Sequence, residues 1–152
     1  TTLDYFGHSV AGAGDVNGDG YADVVVGAHD TAPSGRTSAG AAYGHLGGPS
    51  GLSSTPQRTF TGALMDDRLG WSAAGAGDVN GDGYADIVVG ATGVDFSGRM
   101  GAGAAYVHLG GGSGVSASPH RTFEGAAASD SFGWSVASAG HTRRPARRRA
   151  TT

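Results

Sequence analysis

The chain contains no cysteine, which excludes disulfide staples and zinc sites built on thiolates. It also lacks any apolar run near the roughly 18 residues needed to cross a bilayer as a helix. No basic stretch followed by an apolar one opens the chain, so no signal peptide is visible, and the opening inside a repeat leaves room for an upstream segment. Aromatic residues are scarce, at 8%, while 30 of the 152 residues are glycine. Glycine interrupts every window that could hold three helical turns, so helix is disfavoured throughout and short strands joined by many turns are expected. There is no Gly-x-Ser-x-Gly elbow and no phosphate-cradling loop, so an enzyme is not expected. No Arg-Gly-Asp tripeptide or other partner-specific motif appears.

The formal net charge of −3 conceals an uneven distribution. Five of the ten basic residues, Arg143, Arg144, Arg147, Arg148 and Arg149, crowd the last ten positions. Residues 1–140 hold thirteen acids against five arginines, a net of −8. Six of those acids fall in two nine-residue stretches. Acid concentrated in two spots points to cations and away from nucleic acid.

A repeat organises the chain. Asp-Val-Asn-Gly-Asp-Gly-Tyr-Ala-Asp stands at 15–23 and returns unchanged at 78–86, an offset of 63. Aligning 4–66 with 67–129 needs no gap and gives 41 identities in 63. A third copy begins at Asp130 and runs in phase to Gly140, after which the expected Asp is His141. The units are therefore 1–66, 67–129 and the start of a third, 130–140, followed by an out-of-phase Arg-rich tail, 141–152. Each unit reads as four short strands, at about 8–14, 22–28, 40–46 and 57–61, then 71–77, 85–91, 103–109 and 120–124. Four strands at a fixed period predict an all-β fold of β-propeller blades, because a sandwich does not repeat its sequence.

The nonapeptide carries the chemistry. Asp15, Asn17, Asp19 and Asp23 place side-chain oxygens at positions 1, 3, 5 and 9, Tyr21 can offer its carbonyl at position 7, and Gly20 permits the sharp turn. Asp78, Asn80, Asp82, Tyr84 and Asp86 repeat the set. Six to eight hard oxygens at flexible geometry suit calcium, one ion per loop and two in all; magnesium, with its stricter octahedron, fits worse. The competing reading is a metal-free loop in which Asp and Asn cap backbone amides. An EF-hand is excluded, since its position-12 Glu is here Val26 or Val89, and strand follows the loop where that motif needs a helix.

Phe6-Gly7, the acidic loop, then Val-Val-Val-Gly27-Ala28 resembles the FG-GAP repeat of integrin α-subunit propellers and their bacterial relatives. Copy two keeps the spacing as Leu69-Gly70, loop, Gly90-Ala91, and copy three opens with Phe132-Gly133. The resemblance implies four antiparallel strands per blade, with calcium in the hairpin between the first two strands. It implies that the ten loop residues named above are ligands. It also implies an extracellular or cell-surface module of adhesion or partner binding, found in some proteins beside an enzyme domain. The Pro that closes the family's Gly-Ala-Pro is His29 in copy one and Thr92 in copy two. Family propellers close with about seven blades, against roughly two and a third here.

An incomplete propeller exposes sheet edges and blade faces. Either the chain is a truncated piece of a longer propeller, or copies self-associate to cover those faces. The expected partner is a protein or a glycan, not a nucleic acid. Two alternatives stand beside a non-enzymatic binding module: an accessory propeller of a larger secreted enzyme, and a carbohydrate-binding propeller that stacks sugars on Trp71 and Trp134. Packing between blades is the favoured role of those two tryptophans, and a scaffold or surface role is favoured for His45 and His108. The phase break at 141 reads as a reading-frame shift in GC-rich coding DNA, ahead of a plain disordered tail or a basic arm.

Overall fold

The computed structural model describes residues 3–140, so the Arg-rich tail lies outside the described residues. Two four-stranded antiparallel sheets account for the regular structure. The first contains β1 (Ser9–Gly14), β2 (Asp23–Ala28), β3 (Ala41–His45) and β4 (Arg58–Thr61). The second contains β5 (Leu69–Gly77), β6 (Asp86–Ala91), β7 (Ala104–His108) and β8 (Arg121–Glu124). In both, strand order in the sheet follows strand order in the chain. These are propeller blades in an arrangement that does not close. No α-helix occurs among the described residues, and one short 3₁₀ turn at Pro33–Gly35 is the element the sequence reading did not anticipate.

The β-branched run Val24–Val26 forms the middle of β2, where each residue pairs on both sides, Val25 with Ala11 and with Gly44. Ile87–Val89 does the same in β6. Strands buried on both sides favour such side chains because they fill the pleat with few rotamers to lose. A one-residue register shift interrupts β1–β2 between Gly12 and Gly14 and β5–β6 between Gly75 and Gly77. This bulge twists the hairpin just before its acidic loop.

The blades meet through β1 and β2 of the first and β5 of the second. Val25 and Phe60 from one blade join Leu69, Ala73, Ile87 and Val89 from the other in a single buried cluster. Main chain approaches main chain at the centre of this junction. A Cβ on Gly27 would overlap the carbonyl oxygen of Gly70. Ser9 Oγ donates to that same oxygen at 3.2 Å. Copy two repeats the arrangement with the third-unit segment, Gly90 facing the Gly133 carbonyl and Ser72 Oγ donating to it at 2.7 Å. Residues 130–140 thus sit on blade two as the start of β5 sits on blade one, held by a parallel bridge from Gly103 to Phe132 that matches Gly40 to Leu69. They form no strand among the described residues.

Aromatic rings gather at one end of the junction. Trp71 lies 5.1 Å from His8, 4.5 Å from His29 and 4.7 Å from Trp134, centroid to centroid. Trp71 therefore packs between units. His8 occupies the place of the two tryptophans in copy one, and it meets His29 edge-on at 4.3 Å. Burial holds the His29 imidazole below its ordinary value, and the neighbouring His8 and Arg68 act in the same direction against Asp30. Burial likewise holds His108 down, against the Ser116 and Ser118 carbonyls.

Two outcomes follow from this packing. Gly27→Ala is expected to cost about 2 kcal/mol or more in urea unfolding, because the methyl meets rigid backbone. Gly12→Ala, with open space around it, is the near-neutral control. Second, the unfolded chain takes up protons near pH 6.5 that the folded His29 and His108 refuse, so stability falls as pH drops through that value. The thermal midpoint should decline from about pH 7.5 to about 5.5, and His29→Thr, which installs the residue of copy two, should flatten the decline.

Candidate metal centre

Each acidic loop spans the β1–β2 or β5–β6 hairpin, starting one residue after the bulged strand ends. The ten residues singled out in the sequence fall in these two loops, and the hydrogen bonds of one loop recur in the other. Asp15 Oδ1 accepts from the Gly18 and Asp19 amides at 2.7 and 3.0 Å, and its Oδ2 accepts from Gly20 at 2.9 Å. Asn17 Oδ1 accepts from the Asp19 amide at 3.2 Å, while its Nδ2 donates to Asp19 Oδ2 at 2.9 Å. Asp19 Oδ1 accepts from Tyr21 at 2.9 Å. In the second loop Asp78 takes the Gly81, Asp82 and Gly83 amides, and Asp82 takes that of Tyr84. Gly20 and Gly83 make the turn at φ of 90° and 95°, a region open to glycine.

The ninth-position aspartate differs from the others. Asp23 and Asp86 are buried, with Oδ2 accepting from Val16 or Val79 at 2.7 Å. Oδ1 reaches the Gly47 amide at 2.8 Å, or that of Gly110 at 2.9 Å, in the β3–β4 or β7–β8 connection. This carboxylate therefore ties the acidic hairpin to the neighbouring loop of its own blade. Burial pushes the Asp23 carboxyl above its ordinary value, the Gly47 and Val16 amides pull it back, and the charges of Asp19 and Asp15 push it up again. Asp86 is raised in the same way, with Asp82 and Asp78 as its charged neighbours.

The Gly47 and Gly110 partners were not anticipated. Their signal is the shared glycine that directly follows Leu46 and Leu109, which needs knowledge of the fold to interpret. His45 and His108 prove to be fasteners of the same connection. Nδ1–H of each donates to a carbonyl, Ser53 at 3.0 Å and Ser116 at 3.1 Å.

The donor chemistry fits a hard divalent cation, being oxygen throughout, with three carboxylates per loop; burial is the main cause that raises Asp23 and Asp86, and the charges of the other two carboxylates add to it. The placement is that of an amide-capped turn. Among the described residues no three His, Asp or Glu side chains converge as a metal cage. Each carboxylate oxygen that accepts one amide keeps a second lone pair, so a cation would be taken by reorienting side chains on a turn already shaped by Gly20 or Gly83.

The fold and its loops define a class: a two-blade run of an integrin-type β-propeller with one acidic hairpin loop per blade. The FG-GAP repeat model matches residues 6–45 and 69–108, and the chain belongs to the FG-GAP repeat family. It is 42% identical over 90 residues to integrin alpha pat-2 of Caenorhabditis elegans, covering 57% of this chain and 7% of that protein. It is 36% identical over 94 residues to integrin alpha-5 of Xenopus laevis, covering 59% and 9%. It is 37% identical over 91 residues to integrin alpha-IIb of Homo sapiens, covering 59% and 8%. The matched stretch is less than a tenth of the length of each of these relatives.

Asp23→Ala strips two amides, Val16 and Gly47, of their acceptor. In chelator it should lower stability by about 2–4 kcal/mol, against about 1 kcal/mol or less for the exposed Asp19→Ala, measured by urea unfolding.

Proposed function

We propose that this chain is a calcium-binding FG-GAP module that recognises a protein or glycan partner at the cell surface or outside the cell, without catalysis of its own. The observation that carries the calcium reading is the recurrence of one loop, identical in sequence and in hydrogen bonding, at the same hairpin of both blades. Asp15, Asn17, Asp19, Asp23 and the Tyr21 carbonyl are the proposed ligands of one ion. Asp78, Asn80, Asp82, Asp86 and the Tyr84 carbonyl are those of the other. Calcium would offset the carboxylate repulsion in each loop and hold the hairpin against its blade, so its role is structural. The adhesion reading rests on similarity to integrin α chains over the propeller repeats and on the absence of a nucleophile elbow or phosphate loop in the sequence.

Because the ion binds only the folded loop, saturation at about one hundred times the dissociation constant should add about 2.7 kcal/mol per site to stability. Calorimetric titration is expected to give two calcium ions per chain, with Asp19→Ala and Asp82→Ala each removing one. The thermal midpoint should rise with calcium in the native chain and rise less in either variant. A midpoint that ignores calcium would sink this reading.

A further inference from the structure

The chain contains two asparagines, Asn17 and Asn80, and a glycine follows each. Asparagine is a thermolabile residue. Its weakness is greatest before glycine, which has no side chain to keep its main-chain nitrogen away from the neighbouring amide carbon. Here the loop itself forces the pairing. Its third position holds a neutral amide, since Asn17 Nδ2 donates to Asp19 Oδ2 at 2.9 Å, where a carboxylate would repel. Its fourth position sits at φ of 75° in both copies, Gly18 and Gly81, a conformation that favours glycine. At Gly18 there is also no room, because an added Cβ would lie 2.7 Å from the Tyr84 ring of blade two. The turn that shapes the loop therefore leaves its asparagine unshielded.

The closed loop supplies another protection. Attack of the glycine nitrogen on the asparagine side chain involves three groups, and each is tied down. The nucleophile, the Gly18 amide, donates to Asp15 Oδ1 at 2.7 Å. The leaving nitrogen, Asn17 Nδ2, donates to Asp19 Oδ2, and the carbonyl oxygen Oδ1 accepts from the Asp19 amide at 3.2 Å. In the second loop the same three bonds measure 2.7, 3.0 and 3.2 Å. Blade two packs against loop one through Tyr84 and Ala85, yet loop one keeps the bonds of loop two, so they belong to the loop and not to what stands beside it. Ring closure forfeits the first two bonds, because an imide nitrogen keeps no proton and the leaving nitrogen departs.

We propose that Asn17 and Asn80 are sites of spontaneous deamidation, and that each reacts through the opened form of its loop. The Gly18 nitrogen bonds to Asn17 Cγ as its proton passes to a solvent base. The Cγ–Nδ2 bond breaks, and Nδ2 takes a proton from solvent and departs as ammonia, leaving a cyclic imide. Water then opens the imide. Addition at Cγ restores the ordinary main chain with aspartate at position 17; addition at the Asn17 main-chain carbonyl carbon routes the chain through Cγ and gives isoaspartate. Asparagine and water become acid and ammonia, with nothing oxidised or reduced. Either product spoils the loop. Aspartate sets a second negative oxygen against Asp19 Oδ2, where the Nδ2 donor stood. Isoaspartate adds a carbon to the main chain of a turn whose amides at Val16, Gly18, Asp19, Gly20 and Tyr21 all bond within it. A loop that reacts while open therefore cannot close as it was. An ion held through Asn17 Oδ1 would keep the loop shut, a protection that rests on the calcium reading above.

The test is incubation of the full chain in mildly alkaline buffer with chelator, with excess calcium, and in urea, each asparagine being followed by peptide mass mapping. Both sites should convert, about tenfold or more slowly in chelator than in urea, and more slowly again in calcium. Asn17→Gln, whose longer side chain closes the ring poorly, should leave conversion at Asn80 alone. The converted chain, separated by its added negative charge, should melt below the native chain in chelator. No conversion in chelator while the urea sample reacts, equal rates in those two, or a converted chain as stable as the native one would each overturn the proposal. A rate indifferent to calcium, with chelator still slower than urea, would sustain it and count against the calcium reading alone.

Discussion

At the blade junction the carbonyl of Gly70 passes over the α-carbon of Gly27 at a separation that no side chain could tolerate. This approach sets the rest of the packing. Two sheets can come this close only if the residues between them are glycine, alanine or serine, which accounts for a composition that looks poor in core-forming residues. What the junction loses in large apolar side chains it regains in directional contacts between main chains and in the Ser9 hydroxyl that caps the carbonyl. Directional contacts also fix the lateral position of one blade on the next. Leu69 and Val115 are buried in the same cluster, above the backbone contact.

The acidic loops rest on that frame and divide their carboxylates between two tasks. Asp23 and Asp86 are buried, each carboxylate oxygen accepting one amide of its own blade, so they tie the hairpin to the neighbouring loop. Asp15, Asp19, Asp78 and Asp82 lie nearer the solvent, where their oxygens meet the loop's own amide groups. A turn rich in inward N–H groups lowers the cost of assembling three negative charges. The first loop is the more embedded of the two, since the neighbouring blade donates hydrogen bonds to Asp15 and Val16. Loops alike in sequence thus stand in unlike surroundings.

Much of this was legible in the sequence. The period of 63 placed the units, the Val and Ile runs placed β2 and β6, and strand ends agree with expectation to within a residue, save that β5 begins at Leu69 instead of Trp71. The sequence reading started that strand at Trp71, and the pairing of Leu69 with Ala91 and the bridge to Gly40 extend it back by two residues. The nonapeptide announced its hairpin, and its spacing singled out the residues that share it. The role of the ninth position as a tie to Gly47 was hidden, because that partner lies 24 residues away. The His8–His29 contact was hidden for the same reason. Each is a plain departure from copy two when read alone, and only the fold shows that the two departures touch.

The recurrence of the close contacts at Gly27 and Gly90, with Ser9 and Ser72 beside them, at an offset of 63 bears on how such a chain changes length. Copies one and two agree at 41 of 63 positions, and their strands pair in the same order and register. Recombination between matching positions of the two copies inserts or deletes one whole blade in frame and keeps the strand register within it. The array can therefore grow or shrink by genetic slippage without passing through a misfolded intermediate, and blade number is free to drift while the architecture stays fixed.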